Sequence, residues 1–199
     1  SATGAAGRAA EVDISADRIA VVDRVGANPG IDAGFLQLDG QALSALGGSL
    51  LLGGQRSAVP GALRITTGAS QIVVANSAAG EVKVPELLMA ASDSIEVRSG
   101  SVLTGSSSAP ARGATALKTE AGGALLRLSS GAQATVDRGA SVDNTRGEIR
   151  IAPGATLTAD RSLLLDATLT TLEALPKFRG HLYNWYSTSD LSLLQPHYV

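Results

Sequence analysis

"LRLSSGAQ", residues 126–133, is one of four segments built alike. The others are "LRITTGAS" (63–70), "IEVRSGSV" (95–102) and "IRIAPGAT" (149–156). Each runs apolar, charged, apolar, two further residues, then a small residue beside a glycine. The glycines at 68, 100, 131 and 154 are spaced by 32, 31 and 23 residues. A second pair, "ISADRIAVVD" (14–23) and "LTADRSLLLD" (157–166), also repeats. Imperfect repeats of about 20–50 residues made of short strands predict a solenoid. In a strand, alternate side chains face opposite ways, so "LRL", "LRI", "IEV" and "IRI" read as apolar in, charged out, apolar in.

Working outward, residues 14–169 are short apolar runs separated by Gly, Ser, Asn, Asp and Pro. They include "RIAVVD" (18–23), "FLQLD" (35–39), "SLLLGG" (49–54), "QIVVAN" (71–76), "ELLMAA" (86–91) and "RSLLLDA" (161–167). Runs of this length are strands, and the intervening residues form turns. Helical spacing is not sustained anywhere before residue 170. The prediction is an all-β chain whose residues 1–171 form a parallel β-helix shaft. Residues 172–199 form a short, aromatic-rich segment outside it, an incomplete domain or a cap. An antiparallel β-sandwich is the rival, but it would favour Asn-Gly or Asp-Gly hairpins. "DG" occurs once, at 39–40, and "NG" is absent.

Composition narrows the function. The 199-residue chain has a net charge of −2, which gives no footprint for nucleic acid. Its 44% hydrophobic content is mostly Ala, Leu and Val, suited to a narrow aliphatic interior, and it has no cysteine for disulfides or thiolate metal sites. No apolar run approaches the ~18 residues of a membrane span, and no signal peptide is predicted from these residues. The chain starts with Ser rather than Met and reads as a piece of something longer.

The runs "LLGGQRSAVPGALRI", "VKVPELLMAASDSIEV", "GALLRLSSGAQATVDRG" and "GEIRIAPGATLTADRSLLLDAT" resemble the repeat body of filamentous-haemagglutinin-like exoproteins. The resemblance covers about residues 10–170. It implies a right-handed parallel β-helix, secreted by two-partner secretion to the surface of a Gram-negative bacterium. It also implies an outer-membrane transporter as partner, and an adhesive or structural role towards a cell-surface receptor or glycan.

No segment of this body asks for catalysis or a cofactor. Glu11, Asp13, Asp17 and Asp23 form an acidic cluster of the kind that binds calcium, but the Gly-Gly-x-Gly-x-Asp repeat is missing and solvated turn residues are expected. Gly47, Gly48, Gly53 and Gly54 flank "SLLL" without the Lys-Ser or Lys-Thr of a phosphate loop, so corner glycines are expected. No metal site and no enzymatic activity are predicted.

The tail differs sharply. Five of the six aromatics and both histidines lie at 178–199. In "GHLYNWY" (180–186), His181, Tyr183, Asn184, Trp185 and Tyr186 are candidate glycan-binding residues. Aromatic faces stack on sugar rings, and His or Asn supplies hydrogen bonds. The competing reading is a hydrophobic cap over a sheet end. "LPKFRGHLYNWYSTSDLSLLQPHYV" also resembles a segment of the glycoamylase-like domain of cyclic β-1,2-glucan synthases. The matching residues are Phe178, Arg179, Gly180, His181, Asn184, Trp185, Tyr186, Leu194, Pro196, Tyr198 and Val199. That resemblance implies a carbohydrate-active protein, as fragment rather than enzyme. Glycosidase chemistry needs two positioned carboxyl groups, and the tail holds only Glu173 and Asp190.

Overall fold

The computed structural model describes residues 10–26, 28, 30–108, 115–119, 122–139, 146–172 and 181–184, the last four and residue 115 as backbone. In chain order the strands are β1 (Glu11–Ile14), β2 (Arg18–Val22), β3 (Leu36–Asp39), β4 (Ser49–Leu52), β5 (Gly54–Val59), β6 (Ala62–Thr67), β7 (Ala69–Ala75), β8 (Val82–Val84) and β9 (Glu86–Val97). They continue as β10 (Val102–Gly105), β11 (Thr115–Thr119), β12 (Ala124–Ser129), β13 (Ala134–Asp137), β14 (Glu148–Ile151), β15 (Thr156–Ala159), β16 (Ser162–Asp166), β17 (Leu169–Leu172) and β18 (His181–Asn184). One helix, α1 (Gly40–Leu46), follows β3; Asp39 caps it by accepting the Ala42 N–H at 2.9 Å. The all-β expectation therefore holds at the level of class.

Among the described residues three separate sheets form: one of eleven strands, one of four ordered β13-β11-β6-β5, and one of three ordered β15-β10-β8. The twelve-residue β9 organises the largest. Its first half pairs with β4 and β12; its second half pairs with β7 and β14.

Two apolar interiors result. The larger gathers Ile19, Val21, Ile72, Val74, Leu87, Met89, Ile95 and Val97 from the eleven-stranded sheet with Val82, Val84, Leu103 and Leu157 from the three-stranded one. The smaller lies on the opposite face, where Leu51, Leu88, Leu125 and Leu164 meet Ile65 and Leu117 of the four-stranded sheet. The stretch β4-β9-β12-β16 is thus buried on both faces. This explains why "SLLL", "ELLMAA" and "SLLLD" are apolar without alternation, while "EIRI", covered on one face, alternates. Close approach also fixes Gly53, which ends β4 at φ +86°; a Cβ there would fall on the Ala90 carbonyl oxygen.

The expectation of a single right-handed parallel β-helix, solenoid or repeat shaft is corrected by the strand pairing. Stacked coils require every strand of a face to run one way. Here β12 inserts antiparallel between β9 and β16, and β5 and β6 form an antiparallel hairpin. The sheets are mixed and separate. The four look-alike segments fall in different settings. "IEV" and "IRI" stack in parallel register, Ile95 on Ile149 and Val97 on Ile151. "LRITT" lies in the four-stranded sheet, and "LRLS" is the reversed strand. The physical reason is that apolar-charged-apolar alternation encodes which face is buried, and carries no information on strand direction.

Candidate functional site

The polar residues that begin the apolar runs converge. Ser49, Glu86 and Ser162 each precede consecutive leucines, and all three sit on the face turned towards the four-stranded sheet. They lie on one rung of Cα partners: Glu11, Ser49, Glu86, Ser129, Ser162 and His181, from β1, β4, β9, β12, β16 and β18. The next rung is Val12, Leu50, Leu87, Leu128, Leu163 and Leu182, apolar throughout.

Arg127 crosses between the polar partners. It is 1% exposed, whereas its place in "LRL" predicted an outward charge. Its Nε donates to Glu86 Oε1 at 2.7 Å, and its Nη1 donates to Ser162 Oγ at 2.9 Å and the Ala132 carbonyl at 3.2 Å. Ser49 Oγ donates to the other oxygen of Glu86 and accepts from Arg56 Nη1. Arg56 comes from β5, an edge of the four-stranded sheet. Its Nε reaches Asp13 Oδ1 at 2.6 Å, its backbone N–H reaches Asp13 Oδ2, and its Nη2 donates to the Val12 and Ser49 carbonyls. A continuous path thus runs Asp13–Arg56–Ser49–Glu86–Arg127–Ser162. Burying these charges is tolerable because each is paired and hydrogen-bonded.

A second clamp closes the other edge of the same interface. Arg138, just after β13, places its Nε 3.2 Å from Asp166 Oδ2 and its Nη2 3.2 Å from the Asp166 carbonyl. Asp166 is fully buried. Removal from water pushes its carboxyl above the usual range, and the Arg138 charge and hydrogen bond only partly counter this. Two arginines from opposite edge strands therefore hold the four-stranded sheet over the small core. On the surface, Arg18 stacks over the Phe35 ring at 4.0 Å and grips both oxygens of Asp32. These hydrogen bonds, with one from the Gly34 N–H, hold the Asp32 carboxyl below its usual range.

The acidic residues near the start separate. Asp13 belongs to the buried path. Asp23 accepts from the Ser77 N–H and hydroxyl, at 2.6 and 2.8 Å, and Asp17 contributes its backbone carbonyl to Ser70 and Gln71. Among the described residues no group of three or more His, Asp or Glu side chains is placed to hold a metal ion. No helix among them is long and apolar enough to cross a membrane. Of the candidate glycan residues, His181, Tyr183 and Asn184 lie in β18, which pairs in parallel with β16, opposite Ser162, Leu164 and Leu165. Trp185 and Tyr186 lie outside the described residues.

No family model matches the chain, and no solved structure matches it. Among curated proteins, cyclic β-(1,2)-glucan synthase NdvB of Rhizobium meliloti (strain 1021) is 49% identical to this chain over 35 residues. The match covers 18% of this chain and 1% of that protein's length. This agrees with the family named from the C-terminal segment, as a short likeness. The filamentous-haemagglutinin resemblance finds no counterpart. The adhesin and two-partner secretion expectations, which came from that resemblance, have no support in the comparisons, and nothing in them points to a transporter or receptor partner.

Two outcomes follow from the buried charges. Arg127→Met leaves the Glu86 carboxylate without its partner and costs about 3 kcal/mol in denaturant unfolding. Adding Glu86→Gln recovers most of that loss; equal instability of the single and double variants contradicts the pairing. For Asp166 the folded carboxyl holds its proton to higher pH than the unfolded one. Its contribution to stability is therefore greatest at low pH and is lost as pH rises from the unfolded value through the raised folded one. Asp166→Asn removes this dependence. Relative to wild type, the variant gains stability as pH rises through that window, read as the difference between two urea series.

Proposed function

We propose that this chain forms a non-catalytic structural β domain. The observation that carries this reading is the path from Asp13 to Ser162. Its charged and hydroxyl groups bond to one another and to backbone carbonyls, and so serve to join strands. An acid–base pair for catalysis needs a group turned towards substrate. Glu86 spends both oxygens inside the sheet, on Arg127 and Ser49.

A second function sits with the C-terminal segment, which we propose contacts glycan. Its support is the 35-residue likeness to a glucan synthase, together with His181, Tyr183 and Asn184 on one edge strand. The substrate class this suggests is β-1,2-linked glucan. Binding of β-1,2-glucan oligomers to the full chain, followed by titration calorimetry, tests it. Trp185→Ala with Tyr186→Ala is expected to weaken binding at least tenfold, and no reducing ends should be released. Unchanged affinity refutes the role of the segment, and glucan cleavage refutes the non-catalytic reading.

A further inference from the structure

An edge strand presents unpaired backbone groups, and proteins blunt such edges with charge, proline or a bulge. Several edges of this protein are blunted by charge: β1 carries Glu11 and Asp13, β5 carries Arg56, and β13 ends on Asp137. β3, "LQLD" (36–39), is different. It is the last strand of the ladder β9-β7-β2-β3, and among the described residues no strand pairs with its other side. It has no proline, and its register with β2 is unbroken over all four residues. Its single charge, Asp39, is spent capping α1. The connection that precedes it is tied back over the sheet, where Gly30 accepts from Arg98 and Asp32 accepts from Arg18. The edge itself stays open, with Leu36 42% exposed.

Apolar surface concentrates at the same edge. Among the described residues the large apolar side chains left exposed are Val25, Leu36, Leu46 and Leu169. Leu36 lies on β3. Val25 stands next to Gly26, whose N–H donates to Gln37 Oε1 at 2.8 Å. Leu46 ends α1, the helix that leaves β3 directly. Exposed apolar surface gathered in one place marks an association site. Leu36 and Leu38 are Cα partners of Ile19 and Val21, so they continue the rows Ile95–Ile72–Ile19 and Val97–Val74–Val21 of the larger core. These two aliphatic rows run out to the open edge.

The geometry points to a symmetric dimer in which β3 pairs antiparallel with β3 of a second copy, about a two-fold axis through Gln37. The strand is complementary to itself in this register. Residues equally far from Gln37 become partners, so Leu36 of each copy meets Leu38 of the other. Directly opposed residues of an antiparallel pair share a face, so all four leucines stay on the inner side. Both aliphatic rows then continue from one copy into the next. A slip of one residue pairs Leu36 with Asp39 and Leu38 with Gln37, and turns the two inner faces to opposite sides. A two-fold contact closes after two copies, whereas β3 pairing with a different edge would repeat without limit. The occupant is a second copy rather than an unrelated strand because β3 itself supplies the alternation and length that its own edge accepts.

The test is sedimentation equilibrium of the full chain from micromolar to millimolar concentration, where a monomer–dimer equilibrium is expected. Leu36→Lys sets a charge on the pairing edge at a position already in contact with water, and should weaken the dimer at least tenfold. Leu169→Lys, at a similarly exposed leucine on β17, should leave it within twofold. The contact itself is read from a mixture of isotope-labelled and unlabelled copies. Filtered nuclear Overhauser cross-peaks should join the Leu36 methyls of one copy to the Leu38 methyls of the other. This measurement uses the unaltered chain, so it decides the matter even where the lysine disturbs folding. A monomer at every concentration, a series that grows beyond the dimer, equal dimerisation of the Leu36→Lys variant, or a dimer without the Leu36–Leu38 cross-peaks overturns the proposal.

Discussion

The ion pair between Arg127 and Glu86 is the constraint on which the rest of the structure turns. It lies in the interface between the eleven-stranded and four-stranded sheets, where both partners are almost out of water. An arginine there without a carboxylate would be intolerable. Its partner Glu86 opens β9, the strand shared by both halves of the large sheet, and its neighbour Ser162 opens β16. The pair therefore fixes the register of three strands at once. One residue of slip would move Leu126 and Leu128 out of the larger core and put Arg127 into it.

The same interface shows how a small core is made secure. Six large aliphatic side chains fill it, and arginines from the two edges of the four-stranded sheet close its ends. Apolar contact alone is non-directional. The clamps add direction. Arg56 binds Asp13 on one side and Arg138 binds Asp166 on the other, so the sheet cannot slide across its neighbour.

Much of this was legible in the sequence. The short apolar runs separated by turn formers gave the all-β class. Runs without alternation, such as "SLLL" and "SLLLD", fit strands covered on both faces, a signal that the solenoid reading passed over. Strand direction was not legible. "LRLSSGAQ" and "IRIAPGAT" share a pattern, yet β12 runs against its neighbours and β14 runs with them. Nor was the burial of Arg127 legible from its own surroundings, because a lone arginine between leucines reads as a solvated residue. The available signal was elsewhere: Ser49, Glu86 and Ser162 each stand immediately before consecutive leucines, a polar rung awaiting a partner. In the tail, residue type alone pointed to glycan, and the backbone adds that His181, Tyr183 and Asn184 extend the sheet beside β16.

The reversal of β12 is the most direct thing to measure. With Arg127 beside Leu88, an antiparallel strand places Ser129 next to Glu86 and Leu125 next to Ala90. A parallel strand with the same centre would exchange these, placing Ser129 next to Ala90 and Leu125 next to Glu86. Backbone nuclear Overhauser contacts on isotope-labelled protein distinguish the two. Cross-peaks joining Ser129 to Glu86 and Leu125 to Ala90 are the expected result. Cross-peaks joining Ser129 to Ala90 and Leu125 to Glu86 would contradict the reversed strand, and with it the buried pairing of Arg127 that holds the sheets together.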